Sequence, residues 1–185
     1  MIDEILQDAD ERMGKTLDAL ANTFGKIRTG RANPALLDGI KVDYYGVATP
    51  LNQVASVSVE DARTLLLAPW ERPLVVEIEK AILRSELGIT PVNNGEVIRI
   101  PLPPLTEENR RDLAKQAKAE AENSRISIRN IRRDAIADIR ELVKEKEASE
   151  DDARRGEDGA QEHTDKRTAQ VDSALAAKES ELMEI

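Results

Sequence analysis

Cysteine is absent from this 185-residue chain. That excludes a disulfide framework, a thiol nucleophile and any cysteine-ligated metal site. There is a single histidine, His163, so the common zinc sites, which need several Cys or His ligands, cannot be assembled. Aromatic residues make up 2% of the chain, too little bulk for one large core. No run is long and apolar enough to span a bilayer, so no membrane partner is expected. Met1 to Ile5 are acidic and amphipathic, without the basic head and apolar stretch of a signal peptide; the expected compartment is the cytoplasm. Neither a P-loop nor a nucleophile elbow occurs. Carboxylates are numerous but read as solvated helix faces, so no catalytic residue, metal or cofactor is expected.

What is present is charge: 34% of residues, with a formal net charge of −9. Taken alone this opposes a nucleic-acid partner, because phosphate repels an acidic protein. The distribution is uneven, however. Residues 148–185 carry 5 basic and 11 acidic groups, net −6, whereas residues 106–147 carry 11 and 10, net +1. Within residues 123–133 there are four arginines and no acids.

Three segments show helical periodicity. Ala9, Met13, Leu17, Leu20, Phe24 and Ile27 step by three and four along a first helix, which should end near Thr29 and Gly30. Leu113, Ala117, Ala121, Ser124, Ile128, Ile131, Ala135, Ile139 and Leu142 mark a second. It is uninterrupted by Gly or Pro over 106–147 and roughly 60 Å long at the usual rise. Thr106 is its candidate N-cap. A third begins at Ser149, with Asp152 completing a capping box. Its stripe runs through Ala160, Thr164, Thr168, Val171, Leu175, Lys178 and Leu182; Thr and Lys interrupt it, and Gly156 and Gly159 weaken its first turns. Between the first two helices the period shortens. Strands are expected at 40–45, 54–59, 65–67 and 97–100, one helix within 72–87 with Leu74, Ile78, Ala81 and Ile82 inward, and a turn at Asn93, Asn94 and Gly95. Tyr44 and Tyr45, adjacent on a strand, should face opposite ways.

These observations give an α+β protein: an elongated three-helix bundle (1–29 and 106–185) with an inserted β/α/β domain (31–104). The chain crosses between them at Thr29, Gly30 and Arg31 and again at Leu102, Pro103, Pro104 and Leu105. A paired linker containing Gly30 and stiff prolines should bend more readily than it twists, so hinges are expected near 29–31 and 102–105.

Several motifs carry a family likeness. The run from Ile27 through Arg28, Thr29, Gly30, Arg31, Ala32 and Asn33 to Pro34 resembles the N-terminal hinge motif of ribosome recycling factors. Tyr44, Tyr45 and Gly46 followed by Thr49 and Pro50 match that family's first strand and turn. Glu86, Leu87, Gly88 and Ile89 are similar to its helix end. Pro104 to Glu108 resemble its second hinge, and Ser127 to Asp134 its arginine motif. The likeness spans nearly the whole chain in order. It implies an L-shaped, two-domain molecule approximating transfer RNA. Such a molecule binds the post-termination ribosome at large-subunit ribosomal RNA. With elongation factor G and GTP it promotes subunit splitting and release of mRNA and tRNA. The partner, not this chain, hydrolyses the GTP. Arg28, Arg31, Arg129, Arg132 and Arg133 are the implied RNA contacts. His163 and Thr168 depart from the family's usually aliphatic positions, and Trp70 replaces another aromatic.

Independently of the likeness, helical rotation places these arginines together. With about 100° per residue and Ile131 at zero, Arg132 lies near 100°, Arg125 near 120°, Arg129 near 160° and Arg133 near 200°. Arg111, Lys115, Lys118 and Arg140 share this sector, and Arg111, Lys115, Lys118 and Arg125 are further candidate RNA contacts. Guanidinium groups donate paired hydrogen bonds to phosphate. Arg129, Arg132 and Arg133 have few acidic neighbours in sequence, only Asp134 and Asp138. The plain alternative is a solvated face whose arginines pair with Glu one turn away. Arg28 and Arg31 could simply be cations at a helix C-terminus, and His163 a packing residue. Competing functions are a helical scaffold that oligomerises through its stripes and an Asp/Glu metal-dependent hydrolase. Three helices that enclose their own seam should instead be monomeric.

Overall fold

The computed structural model describes residues 1–184. Four α-helices and a small antiparallel sheet system give an α+β architecture. In chain order the elements are α1 (Ile2–Lys26), β1 (Lys41–Tyr44), β2 (Val47–Pro50), β3 (Ala55–Asp61), β4 (Thr64–Pro69), α2 (Leu74–Arg84), β5 (Val92–Asn93), β6 (Ile98–Pro101), α3 (Glu107–Lys144) and α4 (Glu150–Met183). The chain divides into two compact units. One comprises Met1–Phe24 with Ala114–Ser180; the other comprises Gly25–Leu113 with the residues from Glu181 onward.

In the first unit α1, α3 and α4 bury one apolar seam. Met13, Ile128, Ile139, Ala117, Ala121, Ala160 and Val171 are completely enclosed. Each buried Ile contributes roughly 1.5–3 kcal/mol by removal from water. The α3 cap is as expected, with the Thr106 hydroxyl accepting from the Asn109 amide at 3.1 Å. The helix ends where Lys146 takes a left-handed conformation, φ +61, letting the Glu147 and Ala148 amides donate to the Leu142 carbonyl. Ser149 accepts from the Asp152 amide at 3.1 Å while its hydroxyl donates to the Asp152 carboxylate at 2.7 Å. The Asp152 carboxylate thus meets the Ser149 hydroxyl rather than its amide, so half of the expected capping box starts α4.

Gly156 and Gly159, which weaken α4 by propensity, are what allow its packing. A Cβ on Gly156 would lie 2.8 Å from Ile2 Cγ2 and 3.0 Å from Ile139 Cδ1, and one on Gly159 2.9 Å from Leu6 Cδ1. Close approach outweighs the propensity cost. Thr164, an interruption of the stripe by sequence, is buried with its hydroxyl donating to the Ala160 carbonyl at 2.7 Å, so its polar group is satisfied.

α1 stops at Lys26, earlier than the expected cap at Thr29 and Gly30. Thr29 is the physical reason. Its hydroxyl oxygen accepts from the Arg31 amide at 3.2 Å, a local turn that competes with helix continuation. Gly30 is absent from the left-handed residues and is no C-cap.

The second unit contains a four-stranded antiparallel sheet in the order β3-β4-β6-β5 and a separate β1-β2 hairpin. Leu65, Leu67, Ile98 and Ile100 on the sheet and Leu74, Val75, Ile78 and Ile82 on α2 form its core. Pro101 is the last residue of β6, tolerated because β5 pairs only with Arg99 and Ile98, leaving no ladder partner for the missing N–H. The expectation that Tyr44 and Tyr45 face opposite ways is overturned. The strand ends at Tyr44, which pairs with Val47. Tyr45 (φ +50) and Gly46 (φ +84) then form a two-residue type I′ turn. The turn brings both rings to the same side, 4.8 Å apart and edge-on.

Replacing Gly156 by Ala gains up to about 1 kcal/mol of helix propensity but overpacks a site that typically costs 1–3 kcal/mol. The expected outcome is a net loss of about 1 kcal/mol, read as a lower urea midpoint at unchanged m-value.

Candidate nucleic-acid interface

α3 presents the predicted arginines on an unbroken helical stretch, and their surroundings differ in kind. Arg133 is exposed and, like Lys115, has no hydrogen-bond or ion-pair partner among the described residues. Arg129 sits one turn earlier, half-exposed, and pairs with Glu122 at 2.8 Å. Arg125 is mostly covered. It donates to the Asp172 carboxylate at 2.6 Å and to Glu122 at 3.2 Å. Arg132 donates to the Gln161 side chain at 2.9 Å, and its Nε is buried without a partner. Arg111 pairs with Glu107 at 2.6 Å, Lys118 with Glu179 at 3.9 Å and Arg140 with Glu157 at 2.8 Å.

The expectation of few acidic neighbours holds for Arg132 and Arg133 and needs correction only at Arg129, where Glu122 pairs across two turns. Glu122 also pairs with Arg125, and Asp172, Glu179 and Glu157 reach in from α4 to Arg125, Lys118 and Arg140. The i, i+3 spacing of Glu122 and Arg125 was visible in the sequence; the α4 carboxylates were not, because only packing brings them there. Arg125 and Arg132, at the near edge of the rotational sector, flank the seam and turn toward α4. Arg129, Arg133 and Lys115 form the outward part. Electrostatics agree. Hydrogen bonds from Arg129 and then Arg125 hold the Glu122 carboxyl below its usual range. The Asp172 carboxylate makes Arg125 hold its proton more tightly than usual. Exposed pairs of this type contribute little to stability, so a phosphate can displace Glu122 from Arg129 at small cost.

The other two predicted arginines lie in the second unit. Arg28 is half-buried, donates to the Pro103 carbonyl and has its Nε covered without a partner; burial lowers its proton affinity. Arg31 is exposed and pairs with Glu184 at 3.0 Å. The segments holding Thr29 to Arg31 and Leu102 to Leu105 are both fastened to the tip of the β3–β4 hairpin. The Ala32 amide donates to the Ala62 carbonyl and the Leu102 amide to the Arg63 carbonyl, each at 2.7 Å. Leu102 and Leu105 are buried.

Comparison with known proteins decides the family. The family model described as ribosome recycling factor matches residues 20–183. Over 185 residues, covering all of both chains, this chain is 61% identical to the ribosome-recycling factor of Marinomonas sp. (strain MWYL1) and 58% identical to that of Saccharophagus degradans. The chain belongs to the ribosome recycling factor family. Among solved structures, a solution structure of the ribosome recycling factor aligns over 100% of this chain and 98% of its own, with TM-score 0.79 and 38% identity. A second recycling factor, from T. thermophilus, was placed with E. coli elongation factor G on the E. coli post-termination complex. It aligns over the full length of both chains with TM-score 0.69 and 42% identity.

Of the two family departures on α4, His163 has a polar partner. His163 Nδ1 lies 3.3 Å from Asp10 Oδ1, and Arg167 donates to both Asp10 oxygens at 2.9 and 3.0 Å. The Arg167 guanidinium packs against Gly14, 3.4 Å from where a Cβ would stand. These contacts clamp α4 to α1. No helix among the described residues is long and apolar enough to cross a membrane.

Hydrogen bonding from Arg167 lowers the Asp10 carboxyl from its usual value of 3.8. A depressed folded-state value stabilises the fold above the unfolded value near 3.8 and is lost as pH falls through the folded one. Arg167→Ala should therefore move the Asp10 titration upward, toward 3.8, in carboxyl-detected NMR. It should also shrink the stability lost as pH falls below the unfolded value near 3.8 in acid unfolding. An unmoved Asp10 titration would contradict the clamp.

Proposed function

We propose that this chain binds the post-termination ribosome through the outward arginine face of α3 and, with elongation factor G and GTP, promotes splitting into subunits and release of mRNA and tRNA. The observation that carries the proposal is Arg129 and Arg133, one turn apart on an uninterrupted 38-residue helix, facing away from the seam. Their spacing is held by the helix itself, so little side-chain freedom beyond the guanidinium arms is lost on meeting phosphate. Arg132 and Arg125 serve as flanking contacts at the edge of the α4 carboxylates, and Arg111, Lys115 and Lys118 extend the face along the helix. The acidic α4 opposes non-specific RNA association and leaves one productive orientation.

In this reading the protein is not an enzyme. It acts in the cytoplasm as a monomeric binding protein, and the free energy comes from GTP hydrolysed by its partner. The bundle (1–29 and 106–185) holds RNA while the inserted domain (31–104) moves about Thr29 to Arg31 and Leu102 to Leu105. Arg31 contributes a further RNA contact once released from Glu184. Arg28 contributes by tying the two passages together at Pro103, where its loss would also loosen the hinge.

Arg129→Ala with Arg133→Ala should weaken co-sedimentation with ribosomes by roughly tenfold or more, the scale of one charge-assisted hydrogen bond. Each change should also lower the salt slope of binding by about one, with helicity unchanged. Wild-type binding across a salt titration would refute the assignment.

Glu122→Gln is expected to act in the opposite direction. It removes the counter-charge from Arg129 and Arg125 and should tighten ribosome binding at low salt, with the gain fading as salt rises.

A further inference from the structure

Lys118, Arg125, Arg132 and Arg140 follow one another on α3 at steps of seven, seven and eight residues, along the flank that meets α4. Glu179, Asp172, Asp165 and Glu157 follow at the same steps in reverse on α4. Three of these four rungs close as direct ion pairs: Lys118 with Glu179 at 3.9 Å, Arg125 with Asp172 at 2.6 Å and Arg140 with Glu157 at 2.8 Å. The fourth does not. Arg132 Nη1 donates instead to the Gln161 side-chain oxygen at 2.9 Å. Gln161 Nε2 in turn donates to the Asp165 carboxylate at 2.8 Å. Asp165 makes no ion pair among the described residues.

A side-chain amide accepts at one end and donates at the other. In Gln161 both ends are used, and they face opposite charges: the oxygen meets the guanidinium and the nitrogen meets the carboxylate. The amide therefore orients Arg132 without cancelling its charge, and it holds the carboxylate in register away from it. Arg132 Nε is covered and has no partner, a costly state that a nearby counter-ion would relieve. That counter-ion is one helical turn from Gln161 and is not used. A local arrangement that gives up an available ion pair is the kind found where a residue is kept for a partner. Arg125, by contrast, must give up Asp172 before it can meet a phosphate.

We propose that Gln161 is a positioning residue: it holds Arg132 by a neutral hydrogen bond and keeps Asp165 from it, so that Arg132, alone among the four cations of this flank, reaches an RNA phosphate with its charge uncompensated. Lys118, Arg125 and Arg140 act first as ties between α3 and α4.

The proposal rests on the ribosome reading above, and the test separates the two. Co-sedimentation with purified ribosomes is measured across a salt series, with full-length variants whose helicity matches wild type. Arg132→Gln should weaken binding about tenfold; unchanged binding would remove Arg132 from the RNA face, and the proposal with it. Gln161→Glu keeps the shape but turns the neutral contact into an ion pair. It should weaken binding several-fold and lower the salt slope by about one. In the Arg132→Gln background the same change should cost less than about twofold, because its target is gone. Gln161→Met removes the amide and should let Asp165 close the rung, again weakening binding several-fold. Adding Asp165→Asn should restore it, although Asp165→Asn alone should change binding by less than about twofold. With Arg132→Gln weakened, three results would each overturn the positioning role while leaving the ribosome reading in place. They are wild-type binding by Gln161→Glu or Gln161→Met, an equal Gln161→Glu loss in both backgrounds, and a Gln161→Met loss that Asp165→Asn does not rescue beyond its own effect.

Discussion

The helical unit depends on one constraint: α3 carries a continuous apolar stripe with small residues at Ala117, Ala121 and Ser124 and bulkier ones at Ile128 and Ile139. That stripe must be covered along its length, and α1 and α4 cover it. Gly156 and Gly159 on α4 exist at the price of helix propensity because Ile2, Leu6 and Ile139 occupy the space a side chain would need. Once the seam is closed, every charged residue of α3 is forced to its flanks or its back. The arginine face is thus a consequence of the packing as much as a feature beside it.

Packing also decides which charges remain available. An acidic α4 next to a basic stretch of α3 supplies counterions to Arg125, Lys118 and Arg140, while Arg133 and Lys115 lie beyond its reach. Glu122 is intermediate. It lies on the same helix, shares itself between Arg125 and Arg129, and is exposed enough to be displaced. In the proposed reading, a protein of net charge −9 offers a local surface for phosphate while the rest of it discourages loose association.

In the second unit, two hairpin tips do similar organising work. The β3–β4 tip, through the Ala62 and Arg63 carbonyls, fastens the two passages on which the proposed hinge depends. The β1–β2 tip, through a left-handed Tyr45, turns an exposed ring onto the Glu71 carboxylate. In both cases a short backbone turn positions chemistry that no long element could place, because only turns reverse the chain within a few residues.

Much was legible in the residues themselves. Period-three-and-four spacing located α1, α3 and α4; alternation located β1 and β3, a short apolar run β4, and the turn signal at Asn93 to Gly95 the start of β6; Thr106 and Ser149 marked caps that the structure contains. These are local properties, set by neighbours within one helical turn or one strand pair, and a sequence displays them directly. The end of α1, the orientation of Tyr45, the need for Gly156 and the pairing of Arg125 with Asp172 were not legible. Each depends on atoms dozens of residues away or on a turn whose cost is repaid elsewhere in the fold. The candidate site divides along the same line. Helical rotation alone gathers the arginines into one sector, since geometry within a single helix is fixed by its repeat. Which of them stay open to a partner is decided by the helix packed alongside, and that choice exists only once the chain has folded.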